Sequence, residues 1–246
     1  MLHSVKRNIP NFITLCNLLC GLVAAWLAVS GDLKNAAIFI LLGIFFDFFD
    51  GLAARLLKVA SPLGKELDSM ADLVTSGVAP GFILFYILRD CGEPSWITFT
   101  ALLIPLAAAW RLAKFNLDTR QTSSFLGLPA PSNALIWVAV GFCYSCQNWT
   151  EIALVPIHNL YNIMFTGVGP IALAILALIC SWLMVTEIPL FALKFKNLKW
   201  SDNKIRFIFL IFCVLLLVLF GIIGIPFIII CYIILSLISN RCTSLK

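Results

Sequence analysis

The sequence predicts an all-α, polytopic transmembrane helix bundle of about eight helices, with both termini in the cytoplasm. Three observations predict it. Of the 246 residues, 61% are hydrophobic and 12% are charged, with a mean hydropathy of +1.02. A soluble domain of this length could not hide that much apolar surface, because most of its exterior must face water. Apolar runs long enough to cross ~30 Å of hydrocarbon recur along the chain, at residues 12–30, 35–57, 67–89, 95–113, 131–147, 166–188, 205–222 and 224–239. With the N-terminus inside, only Lys34 and Arg89 of the 17 Lys and Arg residues fall outside, the asymmetry of the positive-inside rule. The net charge of +5 then reflects topology and attraction to anionic headgroups, not nucleic-acid binding.

Taken in order, the first run contains Asn17 and lacks a small-residue cleavage site, so it reads as a retained helix and not a cleavable signal. The second run closes on FFDFFDGLAARLL, with Asp47 and Asp50 three residues apart. Ser61-Pro62 is a helix start, Ser as N-cap and Pro at the first helical position. The second helix therefore ends around Lys58, and the third begins near Pro62 and carries Asp68 and Asp72 four residues apart. Each spacing places both carboxylates on one helix face. Both pairs lie within roughly 10–15 Å of rise from the same cytoplasmic break, so an antiparallel hairpin brings them to similar depth. The fourth helix ends in the polar residues Arg111, Lys114, Asn116 and Arg120. The fifth follows a turn at Phe125–Pro131, and residues 149–165 form a loop or a re-entrant piece before the sixth. A basic stretch, Lys194–Arg206, precedes the last two helices, which separate at Gly221–Pro226. There is no internal repeat, and residues 1–246 read as one membrane domain. The nine cysteines are scattered; Cys143-x-x-Cys146 has no partner pair and reads as small packing residues.

The aspartates need an explanation, since a charge near the bilayer centre costs at least ~2.5–3.5 kcal/mol. Four converging carboxylates cannot all stay ionised unless something positive is present. Arg55, Lys58 and Lys65 could serve as ion-pair partners that snorkel to the interface. The alternative is one or two hard divalent cations. The stretch offers only oxygen donors, with no His or Cys, which favours Mg²⁺ or Mn²⁺ over Zn²⁺. Such ions commonly complete their shell with substrate phosphates, so a phosphate-bearing ligand is expected. Gly51 and Ala53-Ala54 remove bulk beside Asp50, as a ligand site or a tight helix pair would both require. Arg55 can make charge-assisted contacts to phosphate oxygens. The only histidines are His3 and His158, so no Ser-His or Cys-His pair is available for a covalent intermediate.

The pattern Asp47-x2-Asp50-Gly51-x2-Ala54-Arg55-x8-Gly64-x3-Asp68-x3-Asp72 is similar, position for position, to the signature of the CDP-alcohol phosphotransferase family. The resemblance implies a membrane-embedded site with two divalent metal ions, and displacement of CMP from a CDP-linked lipid or alcohol by a hydroxyl. Carried over residue by residue, it makes Asp47, Asp50 and Asp68 metal ligands, and Asp72 a ligand that doubles as general base. Gly51 and Arg55 resemble CDP-binding positions, Ala54 and Gly64 belong to the same signature, and Ser61 stands where it can contact the nucleotide or diphosphate. The run Pro10-Asn11-Phe12-Ile13-Thr14-Leu15-Cys16-Asn17 is similar to the family's first-helix pattern, which implies that Asn11, Thr14 and Asn17 help line the CDP-diacylglycerol pocket. Family members are commonly dimers, so a homodimer is expected.

Three further stretches resemble the integral-membrane branch of the family that uses L-serine as acceptor. They are Gly64–Ser69 with Gly77-Val78-Ala79-Pro80, then Arg111-Leu112-Ala113-Lys114-Phe115-Asn116, and Phe125–Pro131. That branch usually has Arg where Lys114 stands and Phe where Ser76 stands. The resemblance runs over residues 8–145, the expected catalytic core, with residues 166–239 as additional transmembrane helices. It implies transfer of the phosphatidyl group of CDP-diacylglycerol to the serine hydroxyl, with release of CMP into the cytoplasm, in the inner membrane. Arg111, Lys114, Asn116 and Arg120 would form a clamp for the serine carboxylate. Two other readings stand beside it. A sister enzyme using glycerol phosphate, inositol phosphate or an archaeal-type lipid would want a denser basic pocket. A cation transporter would be expected to show inverted repeats and broken helices near the midplane.

Overall fold

The computed structural model describes residues 2–59, 61–117, 125–145, 162–190 and 200–244. Helix α1 (Leu2–Ser30) turns at Gly31 into α2 (Leu33–Leu57). Helix α3 (Pro62–Asp72) runs through a π-helical turn, Leu73–Val78, into α4 (Ala79–Asp90). A short α5 (Ser95–Thr98) leads by a 3₁₀ turn into α6 (Leu103–Leu117). Then follow β1 (Phe125–Leu126), α7 (Ala130–Ser145), α8 (Gly169–Val185), β2 (Pro189–Leu190), α9 (Trp200–Phe220) and α10 (Gly224–Ser244). The eight expected helical segments are all present, and the first begins nearly three turns before its apolar stretch.

The chain is an integral membrane protein. Five stretches are long and apolar enough to cross a bilayer: Asn8–Ser30, Leu33–Leu57, Pro62–Asp90, Ser95–Leu117 and Phe209–Ser236. The last of these folds back on itself. Gly221 has φ +58°, and the Phe209 and Tyr232 rings lie 6.0 Å apart, whereas 23 residues of straight helix would separate them by ~35 Å. A glycine makes that reversal possible, since an L side chain resists positive φ.

The side chains sort as lipid demands. On α1 the stripe Phe12, Leu15, Leu19, Leu22 and Trp26 is exposed, while Thr14, Asn17, Gly21, Ala24 and Ala28 face inward. Both sets step by three and four residues, so the helix shows its large apolar face to lipid and its small and polar face to the bundle. On α2 the inward stripe of Ala36, Ile40 and Gly43 continues, one turn at a time, through Asp47 to buried Asp50. Helices α1 and α2 pack along their length, with α4 and α7 closing the core around Ile83, Leu84 and fully buried Trp137. Trp137 Nε1 donates to Asn133 Oδ1 one turn earlier at 3.1 Å, which satisfies the indole inside an apolar core.

The sequence did not anticipate the two-residue antiparallel pairing of β1 with β2, Phe125 opposite Leu190 and Leu126 opposite Pro189. Gly127 N–H continues it to Ile188 O at 2.9 Å, and Leu128 N–H reaches Leu183 O at 2.9 Å. Gly127 has φ +72°, and a Cβ there would lie 2.5 Å from Thr186 O. The turn before α7 is thereby strapped to the end of α8.

Candidate active site

The break between α2 and α3 is built from local signals. Lys58 caps α2 in the left-handed conformation, φ 53°. Ser61 Oγ accepts the Gly64 N–H at 3.1 Å, with Pro62 opening the helix. Gly64 brings α3 against α1: a Cβ there would meet Asn11 Oδ1 at 3.1 Å.

On this hairpin, oxygens of Asp47, Asp50 and Asp68 lie within 4.8 Å of one another. Thr14 Oγ1 lies 2.6 Å from Asp50 Oδ2 and 3.0 Å from Pro10 O. Its single proton serves the carboxylate, the closer and charged acceptor. Asp68 Oδ1 is buried and has no hydrogen-bond partner. A buried carboxylate oxygen without a donor is costly, and three such groups at this range repel one another unless a cation sits between them. The all-oxygen donor set and the orphaned Asp68 oxygen fit a hard divalent ion.

Asp72 lies one turn further along α3, outside that triad. Asn17, fully buried, donates from Nδ2 to Asp72 Oδ1 at 3.3 Å. Asn17, which the first-helix resemblance implies in the pocket wall, is thus in contact with Asp72.

An open cleft of ≈ 200 Å³ adjoins the triad. Asp50 and Asp68 form its acidic side; Asn11, Thr14, Gly51, Ala54, Ser61 and Gly64 line the rest. Six residues expected to contact CDP-diacylglycerol therefore share one cavity. Lys65 also lines it, a cation the sequence offered only as an ion-pair partner for the aspartates. Arg55 is exposed and turned back on its own helix, Nε donating to Gly51 O at 2.9 Å.

The four clamp residues are not gathered in one place. Arg111 is buried at 9% exposure, and its Nε has no partner. Lys114 Nζ pairs with Glu187 Oε1 at 2.7 Å. Arg111, Lys114, Met184, Thr186 and Glu187 line a second, smaller cleft between α6 and the end of α8. Asn116 faces the other way, Nδ2 donating to Ser69 Oγ at 2.9 Å, while its carbonyl accepts from Lys65 Nζ at 2.9 Å. Arg120 lies outside the described residues. Glu187 escaped the sequence reading because it is 73 residues from Lys114 and belongs to no motif.

Comparison with known proteins places this geometry among relatives. The profile of the CDP-alcohol phosphatidyltransferase family matches residues 7–238, so the match continues beyond residue 145 through the C-terminal helices. The chain is similar to the CDP-diacylglycerol–serine O-phosphatidyltransferase of Bacillus subtilis, 40% identical over 137 residues, covering 56% of this chain and 77% of that protein. The protein of that name from Methanocaldococcus jannaschii is 35% identical over 144 residues, 58% of this chain and 64% of the relative. That from Helicobacter pylori is 30% identical over 214 residues, 85% of this chain and 81% of the relative.

Proposed function

We propose that this chain, which belongs to the CDP-alcohol phosphatidyltransferase family, is a phosphatidylserine synthase that transfers the phosphatidyl group of CDP-diacylglycerol to the hydroxyl of L-serine and releases CMP. The observation that carries the reading is the convergence of Asp47, Asp50 and Asp68 beside the cleft lined by Asn11, Thr14, Gly51, Ala54, Ser61 and Gly64. The names of the relatives support serine as acceptor.

In this reading Asp47, Asp50, Asp68 and Asp72 would hold Mg²⁺ or Mn²⁺, two ions in all, which when bound would supply positive charge against the diphosphate. The chain's own residues do the rest. The small residues Gly51, Ala54 and Gly64 leave room for the nucleotide to lie against α2 and α3, and Lys65 and Arg55 supply cations at its phosphates. Thr14 fixes the Asp50 carboxylate, and Asn17 fixes that of Asp72. Asp72 accepts the serine hydroxyl proton as the oxygen attacks the phosphatidyl phosphorus. The new O–P bond forms as the bond to CMP breaks in line, and the electron pair leaves with CMP. Arg111 receives the serine carboxylate. The site faces the cytoplasm from the inner membrane, and the protein works as a homodimer.

The test is direct. Purified protein with CDP-diacylglycerol and Mn²⁺ is expected to release CMP when L-serine is added, and Asp72→Asn to abolish that release. Release with glycerol 3-phosphate or inositol phosphate in place of serine would move the assignment to a sister enzyme.

A further inference from the structure

The second cleft has a feature that a carboxylate clamp alone does not require. Beside the buried Arg111 guanidinium it presents a carboxylate, Glu187, paired with Lys114. Glu187 is not on a loose loop. The Leu183 and Ile188 carbonyls that flank it accept the Leu128 and Gly127 N–H groups, and Thr186 Oγ1 donates to Leu183 O at 3.0 Å. The β1–β2 strap therefore sets where this carboxylate stands relative to α6.

An amino acid carries a carboxylate and an ammonium on one carbon. The cleft offers one buried cation with an unpartnered Nε and one carboxylate, the complementary pair. Resting on the reading of serine as acceptor, we infer that Glu187 receives the acceptor's ammonium group, displacing Lys114, while Arg111 receives its carboxylate. The exchange conserves charge, one ammonium replacing another. It breaks a partly solvated ion pair, with side chains 37% and 52% exposed, of the kind that is weakly held. The same carboxylate repels a phosphate-bearing acceptor, so it discriminates by exclusion as well as by attraction.

Initial rates of CMP release against serine concentration test this, with three variants and one competitor. Glu187→Gln is expected to raise the KM for serine by up to about fivefold, with the KM for CDP-diacylglycerol and kcat unchanged within error, which also reports an intact fold. Lys114→Met, which removes the competing ammonium, is expected to lower the KM for serine. Glycerate, which has the carboxylate and hydroxyl but no ammonium, is expected to inhibit Glu187→Gln at least as well as the parent, whereas Arg111→Gln weakens glycerate and serine together. An unchanged KM for serine in Glu187→Gln overturns the inference. So does an equal rise in Lys114→Met, which would make the pair a latch, or a parallel loss of glycerate inhibition in Glu187→Gln. Failure of the parent protein to release CMP with serine would overturn the acceptor assignment itself.

Discussion

Asn17 shows how much one buried amide can decide. It is wholly enclosed, yet its side chain is spent on a single long contact to Asp72 Oδ1, 3.3 Å, while its own Oδ1 has no partner. An amide left half-satisfied in a protein core is costly, and the contact it keeps fixes the rotamer of the proposed base. Substituting such a supporting residue typically costs 10–100-fold in activity. Asn17→Ala is therefore expected to lower kcat for CMP release by about 10–100-fold, with both KM values near the parent's. Steady-state kinetics check it; an unchanged kcat would mean that Asp72 is held by other groups. The first-helix pattern singled out Asn17. Its partner was not legible there, because the contact spans 55 residues and depends on how α1 meets α3.

At the scale of elements, the π-turn Leu73–Val78 begins immediately after Asp72. Such insertions cluster at functional sites because they re-aim the residues around them. Here the turn presses Thr75 between α1 and α2. A Cβ at Gly21 would lie 2.4 Å from Thr75 Oγ1 and 2.9 Å from its Cα and N; one at Gly43 would lie 2.5 Å from Thr75 Cγ2. Thr75 Oγ1 donates to Asn17 O at 3.1 Å, so the helix carrying Asp72 is pinned to the helix carrying Asn17. Gly21→Ala cannot be relieved by a side-chain rotation, since Thr75 backbone atoms are in the way. It is expected to destabilise the protein by about 1–3 kcal/mol, the usual cost of overpacking, and to slow CMP release by displacing Asp72. Thermal unfolding in detergent measures the first and kinetics the second; a Tm equal to the parent's would show that α1 and α3 can separate without penalty. The local parts of this hairpin, the aspartate spacings and the Ser61-Pro62 start, could be read from residues a few positions apart. The π-turn could not, because glycines more than thirty residues upstream make room for it.

Across the whole molecule, the Lys and Arg asymmetry that predicts orientation has a structural counterpart. Arg89 lies 5.6 Å from the Tyr86 ring, and the Tyr86 hydroxyl abuts Gly31 at the α1–α2 turn, three residues from Lys34. The two cations assigned outside thus share one end of the bundle, while Lys65 and Asn116 meet at the opposite end beside the aspartates. Charge patterning carried this much because every crossing reverses direction and each loop records the outcome. It could not foresee the strap between residues 125–128 and 183–190, where a backbone ladder, blind to side-chain type, joins segments some sixty residues apart. Orientation follows from the same charges: moving the Lys- and Arg-rich loops across the bilayer is the unfavourable outcome, so the end bearing Lys34 is expected to face away from the cytoplasm. Lys34→Cys and Lys58→Cys, both at exposed positions, separate the two sides. A membrane-impermeant maleimide is expected to label Lys34→Cys above the parent's background in intact cells, and Lys58→Cys only once the membrane is opened. The reverse pattern would place the aspartate cleft on the outer face, away from a cytoplasmic supply of CDP-linked lipid and serine, and the proposed reaction would fail with it.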